Sequence, residues 1–218
     1  MLQDSDTIEL ATGFTVGDYK AARDKAQSGD VVEKNRIAEA IRLRFTERYI
    51  TPAGHGGHPE VTGPVTDPSC KKKHGQKKNG FTMMAISCLM IEALESFRRG
   101  WANSNHKSEA AFCYFFNTND SFKELRGHCE QFYKNVRCGI LHQAETTGGW
   151  RITRKQKAPI FEAEPLLTIN AERFLESVST VLNGFCDELK TAAWDSQEWK
   201  NVVKKMNALC DNCRRPGQ

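Results

Sequence analysis

The chain has 218 residues, of which 39% are hydrophobic and 27% charged, with a formal net charge of +4. That length favours one sizeable core over two small ones, and the balance is that of an ordinary soluble domain. The mild positive charge does not by itself establish nucleic-acid binding, so local clusters of charge are the better clue. No apolar run approaches the ~20 residues needed to cross a bilayer, and Leu2 to Glu9 is too acidic and polar for a signal peptide. Of the eight cysteines, most sit in apolar helical stretches such as AISCLMIEAL and AAFCYFF, where a thiol serves as a small hydrophobe. The expectation is therefore a chain without disulfides, suited to a reducing cytoplasm and without a membrane segment.

Residues 1–29 read as an N-terminal extension and residues 30–213 as one helical domain, followed by a tail at 214–218. Residues 1–17 are polar and lack periodicity, and Asp18 to Gln27 forms a short helix ended by Ser28 and Gly29. Asp30 is a candidate N-cap for a helix running to about Tyr49, with Ile37, Ala40, Ile41, Arg44 and Phe45 at helical spacing and Pro52 closing it. Residues 51–79 form a loop rich in Gly and Pro. Its second half, CKKKHGQKK, puts Lys71, Lys72, Lys73, Lys77 and Lys78 in nine residues, a patch that is either a phosphate-attracting surface or a solvated linker. His55, His58, Cys70 and His74 superficially resemble a zinc site, but three adjacent lysines oppose a cation. No metal or other cofactor is expected. Cys210 and Cys213 form a lone C-x2-C, read as a helix end.

Gly80 to Gly100 is the most apolar helix, fit for the centre of a bundle or for cover by a partner subunit. Glu92 and Glu95 interrupt it and need partners: Arg137 attracts by charge, and Arg98 or Arg99 lie along the same helix. Ser108 to Phe116 is a short aromatic helix, and Ser121 with Glu124 fits a capping box opening a helix of about 25 residues. His128 within it reads as a surface or interface residue. Gly148 and Gly149 end that helix, and residues 148–170 read as a basic β-like arm carrying Trp150, Arg151 and Arg154. Trp150 either stacks a base beside phosphates bound by the arginines or caps the core. Helices over Ala171 to Ala193 and Glu198 to Leu209 complete an all-α bundle of five to six helices with one small β-hairpin excursion.

Phe132 to Thr147, FYKNVRCGILHQAETT, carries the chemistry. At about 100° per residue, Leu125, Cys129, Phe132, Tyr133, Val136 and Ile140 form a core-facing stripe with Arg137 at its edge. His142 falls on the opposite arc with Gln131 and Asn135, and so points outward. An imidazole moves protons near neutral pH, and a guanidinium stabilises a phosphorane's charge, so the pair can cleave RNA without a metal. The bland alternative is a surface histidine and an arginine paired to Glu130, which shares its face.

RCGILH resembles the Arg-x4-6-His motif of the HEPN superfamily (higher eukaryotes and prokaryotes nucleotide-binding domains). RFTERYITPA and NGFTMMAISCLMIEALESFRRGW are similar to segments of its abortive-infection and toxin members. The resemblance covers about residues 35–190. It implies a metal-independent endoribonuclease acting as a homodimer, with Arg137 and His142 catalytic and RNA as substrate. It also implies a toxin or phage-defence role and a cognate antitoxin or regulatory protein as a further partner. Asn135 would orient the imidazole or bind phosphate, and Glu130 or Glu92 would tether Arg137. The family often has Asn, Asp or His after the arginine; here Cys138 stands there, and the rival expectation is a non-catalytic module that binds nucleotide, RNA or protein.

Overall fold

The computed structural model describes residues 5–55, 79–154 and 158–213. Helix accounts for 72% and strand for 7% of the described residues, which form an all-α bundle with a small sheet. The lysine run Lys71, Lys72, Lys73, Lys77 and Lys78 lies outside the described residues, as do His58, Cys70 and His74 of the zinc-like set.

The N-terminal segment departs from expectation. Strands β1 (Glu9–Ala11) and β2 (Phe14–Thr15) pair antiparallel, and Leu10, Ala11, Phe14 and Val16 are buried in the same core as the helices. Four apolar residues in a two-strand turn are too few to show a period, yet enough to anchor the segment. Helix α1 (Val16–Gln27) opens on a capping box: Thr15 Oγ1 accepts from the Asp18 amide, and the Asp18 carboxylate accepts from the Thr15 amide. Helix α2 (Val31–Phe45) starts at Asp30, whose carboxylate accepts from the amides of Val32 and Glu33. Pro52 does not close this helix as expected, because wider π turns over Thr46–His55 continue it through the proline.

Helix α3 (Gly80–Arg99) ends on Gly100 in the left-handed conformation and packs on α7 (Ala171–Thr191), α8 (Gln197–Asn212) and α4 (Ser108–Thr118). By length and composition it could cross a membrane, which corrects the sequence reading that no run was long enough. Of its most apolar window 61% is buried inside the fold, as befits a central helix. Helices α7 and α8 are capped by Asn170 and Ser196, which accept from the amides of Arg173 and Trp199.

The β excursion lies where the sequence places it and pairs as a mixed three-stranded sheet. Strand β3 (Arg151–Thr153) runs parallel to β5 (Thr168–Asn170), which is antiparallel to β4 (Phe161–Glu162).

The 25-residue motif helix is instead four short pieces: a 3-10 segment (Asp120–His128), α5 (Cys129–Phe132), a π turn (Tyr133–Arg137) and α6 (Cys138–Gln143). Asn119 holds the cap position without a side-chain cap bond, so the Ser121/Glu124 capping box does not form. The apolar stripe survives the change of winding. Leu125, Phe132 and Val136 are fully buried, with Cys129, Tyr133 and Ile140 packed partly against them. Phe132 stacks on Phe174 of α7 at 5.5 Å and meets Phe112 and Phe116 of α4 at 5.4 and 5.1 Å. A disulfide joins Cys113 of α4 to Cys129 of α5, so these two are not free thiols acting as small hydrophobes. Their pairing removes part of the reasoning behind a reducing compartment.

Helix α6 ends at Ala144, in the left-handed region at φ 56°, four residues before the glycines expected to break it. The chain then folds back so closely that a Cβ on Gly139 would sit 2.5 Å from the Glu145 carbonyl oxygen. A backbone oxygen there cannot step aside as a flexible side chain would. Gly139→Ala is expected to destabilise the protein by about 2 kcal/mol, read as a lower urea midpoint at unchanged slope. An unchanged midpoint would show that the fold-back relaxes freely.

Candidate functional site

The π turn aims Arg137 from the motif helix at α3. Its Nε donates to Glu92 Oε1 at 2.7 Å, and the other carboxylate oxygen accepts from Ser108 Oγ at 2.7 Å and Ser104 Oγ at 3.2 Å. The Arg137 side chain keeps 19% of its surface exposed and that of Glu92 keeps 11%. Burial works against the guanidinium's charge, but the Glu92 carboxylate outweighs it and holds the proton more firmly than solvent would. Glu95 divides from Glu92 in its choice of partner, taking Arg99 Nε at 2.9 Å and Arg98 Nη1 at 3.5 Å along its own helix. Of the two pairings weighed for these carboxylates, each glutamate thus adopts one.

Arg137 borders a pocket of about 420 Å³ between α3, α6, α8 and the turn after α3. Leu89, Leu141, Asn103, Asn105 and Lys205 line it as well. Lys205 is almost fully buried and donates to the Ala102 carbonyl at 2.9 Å. Burial, and then the Arg44 charge, lower its affinity for a proton. The pocket therefore combines two cations, one of them paired with the Glu92 carboxylate that also lines it, with small amide and hydroxyl groups and an apolar wall, a lining able to receive a phosphate with its attached base or sugar. Tyr133 lies under the guanidinium at 5.7 Å, and burial, followed by the neighbouring Cys138 thiol, raises its phenol above the ordinary value.

His142 is exposed, as the wheel predicts, and does not line this pocket; its neighbour Leu141 does. Within one chain the two motif residues face different ways. Glu130 is exposed and makes no ion pair with Arg137, which has turned to Glu92, so its tethering role is corrected. Asn135 is a brace: its Oδ1 accepts from Thr147 Oγ1 and its carbonyl from the Thr147 amide, both at 2.9 Å. A Cβ on Gly148, at φ 60°, would meet that amide group at 2.7 Å, so the asparagine clamps the turn after α6 and does not bond to His142. Ser104 and Ser108 escaped the sequence reading because only the fold brings them to Glu92.

The basic arm divides. Trp150 is 3% exposed, stacked on Phe161 at 5.5 Å and edge-on to Phe132 at 5.9 Å, so it caps the core and cannot stack a base. His128, expected at the surface, packs beside it at 6.2 Å, and neither Trp150 Nε1 nor His128 Nδ1 has a hydrogen-bond partner among the described residues. Trp150→Phe, which removes one of these unpaired groups, is expected to leave any RNA affinity the chain has unchanged in a binding titration. A loss beyond about threefold would restore the stacking role. Arg154 is held by the fold: Nη1 donates to Asn79 Oδ1 at 2.7 Å and Nη2 lies 3.7 Å from Glu172. Arg151 alone of the three is exposed. Among the described residues no group of three or more His, Cys, Asp or Glu side chains could hold a metal ion. Compared with family models, curated proteins and solved structures, the chain matches none of them.

Proposed function

We propose that the chain is a metal-independent endoribonuclease of the HEPN kind, working as a homodimer on RNA. The observation that carries this reading is the pairing of Arg137 with Glu92 at the rim of a cationic pocket, with His142 exposed just beyond it on α6. Arg137, fixed by Nε, holds the scissile phosphate. His142 of the opposing chain, reaching over the rim, takes the 2′-hydroxyl proton, and the symmetry-related imidazole protonates the leaving 5′-oxygen. One chain presents one such imidazole, so duplication has a chemical reason. Leu89 and Leu141, 41% and 47% exposed beside the pocket, supply apolar surface for that association. A cytoplasmic toxin or phage-defence role, held in check by an antitoxin or regulatory protein, fits such an activity.

The mostly buried Arg137–Glu92–serine network favours a second reading, in which the arginine is structural and the domain binds RNA or a partner without cutting. The two part on one experiment. The parent and its His142→Ala variant are incubated with labelled RNA in EDTA and the products are resolved. Cleavage by the parent to 2′,3′-cyclic phosphate ends, lost in the variant, supports the enzyme. Binding without cleavage by either supports the module.

A further inference from the structure

Helix α8 has a groove on each side. Lys205 and Asn212 face the Arg137 pocket, whereas Lys200, Val203, Lys204 and Asn207 border a second groove of about 620 Å³. Arg23 and Gln27 of α1, with Trp194 and Asp195 of the α7–α8 turn, complete it. On a wheel the two sets of α8 residues lie roughly 150° apart, so the second groove is independent of the motif and of any reading of it.

Its floor is a pair of indoles. Trp199 is fully buried and fixed by a bond from Nε1 to the Leu189 carbonyl at 2.8 Å; Trp194 rests against it at 4.8 Å, 36° from parallel, and stays partly exposed. Its wall is cationic. Arg23 is bonded to Asp24 and Asn207, but Lys200 and Lys204 are exposed, stand one helical turn apart and have no acidic partner among the described residues. Asp195 is the acidic residue that lines the groove. A half-buried tryptophan can be a mere plug, and lysines are usually solvated. A preset aromatic face beside two unpaired cations, in a concavity of small-molecule size, fits a ligand with a flat ring at one end and an anion at the other.

We propose that this groove binds a mononucleotide, its base stacked on Trp194 and its phosphate between Lys200 and Lys204, with Gln27 and Asp195 at the base edge. The test is calorimetric titration of the full chain with adenosine 5′-monophosphate, with adenosine and inorganic phosphate as single-feature probes. The nucleotide binds most tightly of the three. Lys200→Ala with Lys204→Ala weakens it by roughly tenfold and flattens its salt dependence. Trp194→Ala weakens it by a similar factor, and Trp194→Phe, which keeps both plug and ring, retains binding within about threefold. Absence of nucleotide binding, binding of an oligodeoxyadenylate but not of the mononucleotide, or unchanged affinity in the double lysine variant would each overturn the proposal.

Discussion

Replacement of His142 by alanine is expected to lower RNA cleavage by roughly 10²–10⁴-fold, the contribution of a positioned general acid or base. The side chain is exposed and makes no bond that the fold depends on, so the melting temperature stays with the parent's. That separation gives the test its force, since loss of activity through unfolding is excluded by the same sample. Mixing parent chains with His142→Ala chains sharpens it. Because one scissile phosphate draws on both imidazoles, a mixed dimer holding one of them is expected to be as slow as the His142→Ala homodimer, and activity falls as the square of the parent fraction. Equal cleavage by parent and His142→Ala removes the histidine from the mechanism, and activity that falls only in proportion to the parent fraction removes the composite pocket.

The second large effect falls on stability. Glu92→Ala leaves the Arg137 guanidinium mostly buried with its carboxylate gone, and the loss of one partner of a buried pair costs about 3 kcal/mol. For a chain of this size that is a drop of roughly 6–12 °C in melting temperature. Cleavage falls too, because the guanidinium loses the bond that fixes its direction. Glu92→Leu combined with Arg137→Met removes both charges and is expected to recover most of the lost stability without recovering activity. If instead the single variant melts with the parent, the pair is solvated and the pocket's rim is not fixed as drawn.

The order of elements was legible from local rules. Asp30 before a periodic run, Gly100 after one, and the spacing of Phe174, Leu175, Val178 and Leu182 determine where helices begin, end and turn their apolar faces. The outward position of His142 followed from the same periodicity, because a stripe as apolar as Leu125, Phe132 and Val136 leaves only the opposite arc for polar groups. Partner choice was not legible. Arg137 had Glu130 on its own face, yet bonds Glu92, 45 residues away, because packing of the motif segment on α3 brings a carboxylate already held by Ser104 and Ser108. Trp150 offered both a ring for stacking and a ring for the core, and the sheet after α6 turned it inward against Phe132 and Phe161. Local sequence thus decided which residues are helical and which face is apolar, since spacing and capping act over a few residues. Which charges meet, which thiols bond and which aromatic is entombed depended on where distant elements pack, which only the tertiary structure decided.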